Sequence, residues 1–270
     1  MKRLTYKGLT FGVALGLGIN VLVLVYINMY YKREGFEEAK KEDKVVKPLQ
    51  QADIPIIKDI WVINLDKSKE RWNLMVEQTK NLDPLPVNRW PGTDGRAMSE
   101  QEMIEEKIPI IIRPQNTVEY RQERRKGEIG CYLSHKKLMQ HLAEDKKVAD
   151  ASGHLILEDD VTIDKDTLDK WKEVAKGLDK DWDIFFFGIH DPVLDEPKNG
   201  IAKVKSIQSL HAYMVKHGSL KKILDTIAIM YDPIDEIIRW NSDKLNLYAV
   251  QPFKIHQRKN FHSDIQNKVT

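Results

Sequence analysis

Short apolar runs separated by stretches of helical periodicity leave this chain little choice of fold. Residues 59–65 (DIWVINL), 155–157 (LIL) and 184–187 (IFFF) are brief, rich in β-branched or aromatic side chains, and read as buried strands. Residues 210–215 and 245–250 are further strand candidates. Residues 68–82 place Trp72, Met75, Val76 and Thr79 at helical spacing, and residues 127–144 align Cys131, His135, Leu138 and Leu142 along one stripe. Ser99 and Glu102 have the spacing of a capping box that opens a helix through about residue 106. Asp166 is placed to cap a helix reaching about residue 178, and another helix is expected over 219–230. Strands alternating with helices imply an α/β domain built on a mostly parallel central sheet.

One stretch lies outside this pattern. Residues 9–31 contain no charged side chain in 23 positions and are bounded by Lys7 and by Lys32-Arg33. A helix of that length spans roughly 35 Å, enough for a bilayer core of about 30 Å. Tyr26, Tyr30 and Tyr31 sit where an interfacial aromatic belt would lie. A cleaved signal peptide has a shorter apolar region and a small-residue cleavage site, and none follows Tyr31. The expected organisation is therefore a short basic tail (1–8), a single transmembrane anchor (9–31), a charged linker (32–55) and one domain over 56–270. Basic residues flank the anchor on both sides, so the positive-inside rule leaves its orientation open. No N-x-S/T sequon occurs in the chain.

Composition narrows the function. With 43 Lys+Arg against 41 Asp+Glu the net charge is +2, which argues against a nucleic-acid binder working through a broad basic face. The basic run at 121–126 reads as a solvated face. A single cysteine, Cys131, excludes an intrachain disulfide framework and any multi-cysteine zinc or iron–sulfur site. His211, His217, His256 and His262 lack ligand spacing with one another, which favours surface or core roles.

Chemistry concentrates where strands end. Glu158-Asp159-Asp160 follows the run 154–157 directly, and ligands of open α/β sheets bind beyond the carboxyl ends of strands. Adjacent carboxylates repel one another, and a hard divalent cation relieves that repulsion; a solvated acidic turn is the plainer alternative. Asn64, Asp66 and Arg71 cluster at the end of the first strand, where they suit a ribose, base or phosphate, or else a helix cap and a surface charge. Thr93-Asp94-Gly95 reads as a turn. Gly127 and Gly130 open the helix of residues 127–144, where free N–H groups favour an anion. The alternative there is a core helix with Ser134 and His135 hydrogen-bonded internally.

Taken in order, these pieces resemble glycosyltransferase family 25. Residues 60–66 with Arg71 look like that family's first strand and downstream arginine, and Pro91-Gly92-Thr93-Asp94-Gly95 is similar to its Ala-x-Asp-Gly turn. The most specific match is residues 127–135 (GEIGCYLSH) to the pattern Gly-x-x-Gly-Cys-x-x-Ser-His. Residues 155–161 match a Leu-Glu-Asp-Asp-Val strand end, and residues 211–218, 233–235, 251–257 and 263–265 resemble the second half of the family. The segments 104–119 and 190–200 match nothing in it.

The resemblance implies a nucleotide-sugar-binding, Rossmann-like A-type glycosyltransferase fold preceded by one transmembrane helix. It implies a metal-dependent hexosyltransferase moving galactose from UDP-galactose, with inversion, onto a glycan or protein acceptor. Glu158 and Asp160 would meet Mn²⁺ or Mg²⁺ and the diphosphate. Asn64, Asp66, Arg71 and Asp94 would form the nucleotide side, Asp159 would orient the ribose or complete the metal shell, and Ser134 and His135 would border the sugar. An inverting displacement needs one general base, and Asp235 is the candidate; a helix N-cap is its plainer role. The expected location is a single-pass membrane protein of type II with a lumenal catalytic domain, a cytosol-facing domain being the other option. The competing readings are a non-catalytic, membrane-tethered nucleotide-sugar-binding module of the same fold and a metal-dependent phosphohydrolase.

Overall fold

The structure is a computed structural model that describes residues 55–108, 118–258, 262–263 and 268–269. All belong to the compact unit Leu49–Thr270. Among the described residues no helix is long and apolar enough to cross a membrane, and the expected anchor, residues 9–31, lies outside them. The expected tail and most of the linker also lie outside.

In chain order the elements are β1 (Ile57–Asn64), α1 (Lys69–Thr79), β2 (Val87–Pro91), α2 (Glu100–Glu105), α3 (Val118–Glu144), β3 (Gly153–Glu158) and β4 (Val161–Ile163). Then come α4 (Thr167–Val174), β5 (Ile184–Leu194), β6 (Ile201–Lys216), α5 (Leu220–Thr226), α6 (Ile234–Trp240), β7 (Leu247–Val250) and β8 (Ile255–Gln257). The main sheet has six strands in the order β2-β1-β3-β6-β5-β7. β2, β1 and β3 are parallel neighbours, β5 and β7 are parallel, and β6 is antiparallel to both β3 and β5. Five strands thus run one way and β6 alone runs against them, which is the mostly parallel α/β sheet expected from the sequence. A small antiparallel ladder of β4 with β8 pairs Val161 with Gln257.

Alternation along the strands divides the interior into two cores. Leu155, Leu157, Phe185, Phe187, Ala212 and Met214 pack with Met75 of α1 and Trp171 and Val174 of α4 on one face. Ile156, Phe186, Tyr213 and Val215 point the other way, onto Ile129, Leu133 and Leu138 of α3, Ile223 of α5 and Ile237 of α6. Apolar residues in unbroken sequence runs are what a strand covered on both faces requires.

The capping box is present, with Ser99 accepting from the Glu102 N–H and Glu102 from the Ser99 N–H. Other boundaries move. Asp166 stands at the N-cap of α4 without a side-chain cap, and its carboxylate pairs instead with Lys254 at 2.6 Å. The strand expected at 210–215 is the end of a 16-residue strand whose first half alternates buried Val204 and Ile207 with exposed Lys203, Lys205 and Gln208. The helix expected over 219–230 is only Leu220–Thr226.

One reading is overturned. Gly127 and Gly130 do not open a helix: they lie inside α3, where N–H groups belong to the helical ladder and offer nothing to an anion. The glycine at 130 serves close approach. A Cβ there would lie 2.6 Å from the Thr93 carbonyl oxygen and 2.7 Å from the Gly95 N, and one on Gly95 would lie 1.9 Å from the Lys126 oxygen. Only bare backbone on both sides lets the 93–95 turn seat against α3.

Candidate active site

The carboxyl ends of β1 and β3 and the middle of α3 converge on one cleft. Its lining includes Arg71, Asp94, Cys131, His135 and the acids Glu158, Asp159 and Asp160. The register sets Val62 beside Leu157 and Leu157 beside Ala212, so Asn64, Glu158 and His211 arrive at the same edge of the sheet.

Glu158 closes β3, and Asp159 and Asp160 form the tight connection to β4. Both oxygens of Asp159 are engaged: Oδ2 accepts from Asn64 Nδ2 at 2.5 Å, and Oδ1 pairs with Arg71 at 2.5 Å. Arg71 also reaches Asp160 Oδ2 at 3.3 Å, which Gln257 Nε2 contacts at 3.0 Å through the β4–β8 ladder. Arg89 in turn donates to Asn64 Oδ1 at 2.9 Å and holds the amide's orientation.

These acids carry more negative charge than their buried setting favours. Burial, with the neighbouring carboxylates adding to it, pushes Asp159 up to about 7 and Asp160 up to about 6, against the pull of Arg71. Glu158 goes the other way. Burial alone would raise it, but the hydrogen bond and charge of His135, with His211 and Arg71, hold it below its ordinary value. His135 Nε2 lies 3.4 Å from Glu158 Oε1, and its Nδ1 meets the Tyr213 hydroxyl at 2.7 Å.

The opposite wall is the 93–95 turn on α3. Ser134 Oγ donates to the Gly130 carbonyl at 2.6 Å and accepts from the Thr93 N–H at 2.8 Å, so it ties the turn to the helix. Asp94 begins the turn, accepts from the Arg96 N–H at 3.2 Å and pairs with Lys67. Burial works against that pairing, but Lys67 and the backbone outweigh it and lower the Asp94 carboxyl.

Three expected residues are not part of this lining: Asn64 sits behind it on Asp159, and Asp66 and Asp235 stand apart. Asp66 is exposed and pairs with Arg89 at 2.7 Å. Asp235, in the first turn of α6, accepts from the Ser209 N–H at 2.9 Å. Ser209 is held there at a φ of 84°, a left-handed backbone unusual outside glycine, and its hydroxyl meets buried His211 Nδ1 at 3.0 Å. Burial pushes His211 down to about 4, so it is neutral near pH 7.

The site suits a hard divalent cation. Asp160 Oδ1 is buried with no hydrogen-bond partner, a situation native interiors rarely tolerate. An oxygen-liganded cation satisfies it and offsets the crowded charge. Glu158 and Asp160 are the residues able to hold it, while Asp159 is already committed to Asn64 and Arg71.

The cleft therefore brings together Arg71, Asp94, Ser134, His135 and the three acids, with Asn64 behind them. The sequence carries no sign of Arg89, which lies on a strand with no apolar run to mark it. Tyr213 and Gln257 stand only inside the segments 211–218 and 251–257 that resemble the family, with nothing to give either its role.

A polar cleft at the carboxyl ends of a mostly parallel sheet defines an α/β ligand-binding protein. The family model described as "Glycosyltransferase family 25 (LPS biosynthesis protein)" matches residues 57–238. The chain is 21% identical over 223 residues to "Procollagen galactosyltransferase 1" of Danio rerio, covering 73% of this chain and 36% of that protein. It spans little more than a third of the relative's length. Among solved structures, a glycosyltransferase involved in glycosylating the major capsid of PBCV-1 is 14% identical, covering 64% of this chain and 66% of that one. Its TM-score of 0.32 is too slight to bear on the fold. The chain belongs to glycosyltransferase family 25.

Proposed function

We propose that this protein is a metal-dependent hexosyltransferase that moves galactose from UDP-galactose, with inversion, onto a glycan or protein acceptor. Family membership supports the reaction class, and the name of the Danio rerio relative supports the sugar. The observation that carries the metal dependence is the buried Asp160 Oδ1 without a partner, in a cluster of acids whose charge burial resists. Mn²⁺ or Mg²⁺ held by Glu158 and Asp160 would neutralise the charge of the leaving diphosphate.

The remaining roles belong to the same proposal, and placement in or near the cleft supports them. Arg71, held rigidly by Asp159 and Asp160, faces phosphate; Asp94 on its turn, with Asn64 and Asp159 behind, shapes the nucleotide side. Asp66 serves that side from its rim. Ser134 sets the wall beside the sugar, and His135 fixes Glu158. Asp235 is the proposed base, taking the proton from the acceptor hydroxyl as it attacks; its bond to the Ser209 N–H orients the carboxylate. The reading includes a single-pass anchor over residues 9–31, type II, with the catalytic domain in the lumen.

The test is UDP release from a panel of UDP-sugars with Mn²⁺, repeated with chelator. Metal-dependent release from UDP-galactose alone is the expected result. Metal-dependent UDP binding with no release, even with acceptors present, would replace this reading with a non-catalytic donor-binding module. Phosphate release from phosphomonoesters would replace it with a hydrolase.

A further inference from the structure

We propose a second cation site in the same cleft, built from Cys131 Sγ, His135 Nε2 and Glu158 Oε1 and selective for a thiophilic divalent ion such as Zn²⁺. One donor atom from each of these three side chains lies within 4.8 Å of the other two. Cys131 and His135 are one turn apart on α3, so a rigid helix presents both on one face. Glu158 comes from the end of β3 and already stands 3.4 Å from the imidazole. Reaching the ligand spacing of a tetrahedral zinc site, about 3.5 Å between donors, takes shifts of about 1 Å in side chains alone.

The support around the site is that of a metal centre. The Tyr213 hydroxyl binds His135 Nδ1 at 2.7 Å and leaves Nε2 aimed at Glu158, the orienting contact that ligating histidines use. Cys131 is a free thiol, only partly covered, on the wall of the cleft, so an ion has a way in. Three protein donors leave a fourth position open to water or substrate oxygen. Binding exchanges the thiol proton for the metal: the S–H bond breaks, a thiolate–metal bond forms, and one proton passes to solvent.

Softness separates this site from the one assigned to Mn²⁺. Thiolate and imidazole favour Zn²⁺, whereas carboxylates favour Mn²⁺ and Mg²⁺. Both sites use Glu158, so Zn²⁺ displaces the Mn²⁺ of the proposed transfer reaction and inhibits it. Only this competition rests on the proposed function; the binding itself does not.

The experiment uses the full-length protein with Zn²⁺ or Co²⁺ alone. X-ray absorption of the one-equivalent Zn²⁺ complex is expected to show one sulfur neighbour at about 2.3 Å among nitrogen and oxygen ligands. Titration with Co²⁺ is expected to raise a thiolate charge-transfer band that is absent in Cys131→Ser and present in Asp160→Ala. Tyr213→Phe is expected to weaken Zn²⁺ binding about tenfold. A wild-type zinc shell without sulfur overturns the proposal, and that measurement needs no variant to fold. Failure to release UDP from any donor would leave the sulfur signal untouched, so the two readings fail separately.

Discussion

Strand β3 carries ionisable groups at both of its ends, and the two ends treat them in opposite ways. At the amino end, His154 meets Asp59 at 2.7 Å through Nδ1 and His217 at 3.0 Å through Nε2. Each ring nitrogen has one partner. At the carboxyl end, Arg71 is shared between Asp159 and Asp160, and one Asp160 oxygen has no hydrogen bond. Burial does not separate them, since His154 is 1% exposed, Asp159 8% and Asp160 6%. Satisfaction does. A buried polar cluster that closes on itself stabilises the fold, and one left open is available to a ligand.

The largest effect that tests this contrast is on turnover. Asp160→Ala is expected to reduce UDP-sugar turnover about a thousandfold with the fold retained, read by steady-state kinetics beside circular dichroism. Near wild-type turnover in that variant would remove the distinction between the two ends. Asp59→Ala is the mirror experiment. It strands buried His154 and is expected to lower unfolding stability by about 3 kcal/mol in urea while leaving kcat and KM unchanged.

The acidic end has an opposite signature in stability. Asp160 is held at about 6 and Asp159 at about 7, both above the ordinary 3.8, so the folded metal-free protein binds protons there more tightly than the unfolded chain. Stability from these groups is full below about pH 4 and is lost as pH rises through about 6 to 7. His211, depressed to about 4 from 6.5, acts in the reverse sense and loses stability as pH falls through that window, so variants must be compared at one pH. Asp160→Asn is expected to stabilise the metal-free protein by on the order of 2 kcal/mol at about pH 7.5. A loss of stability instead would show that the cluster is not crowded.

Smaller effects sharpen the picture of the opposite wall. Gly to Ala in a helix interior ordinarily gains about 1 kcal/mol. Gly130→Ala is expected to lose about 1–2 kcal/mol and to raise the KM for donor, because the new methyl meets the Thr93 and Gly95 backbones. Lys67→Ala removes a largely exposed partner of Asp94 and is expected to change stability by less than about 0.5 kcal/mol in thermal unfolding.

Local pattern made the domain readable. Strand β1, the core of β3, the start of β5 and the capping box at Ser99 stand where apolar period and cap spacing place them, because each needs only its own neighbours in sequence. The glycines of α3 misled for a related reason. A glycine that opens a helix and one that admits a neighbouring backbone are the same letter, and only the packed turn at Thr93–Gly95 separates them. The first half of β6 escaped notice because lysines and glutamine face solvent there and dilute its apolar signal.

The α/β class, the two-sided burial of its strands and the emergence of three acids at a strand end were all legible in the linear chain. Hydrophobic period and strand ends are short-range properties, so composition and order suffice for them. Which acids are satisfied is a long-range matter. Asn64 reaches Asp159 across 95 positions and Gln257 reaches Asp160 across 97, while Tyr213 orients His135 across 78. No local periodicity encodes those encounters. They exist because the fold gathers distant parts of the chain: parallel β1 and β3 end at one edge, the antiparallel β4–β8 ladder brings Gln257 to Asp160, and antiparallel β6 sets Tyr213 against α3. That convergence decides that Asp159 is held, that Asp160 keeps an oxygen open, and that Cys131 and His135 face Glu158.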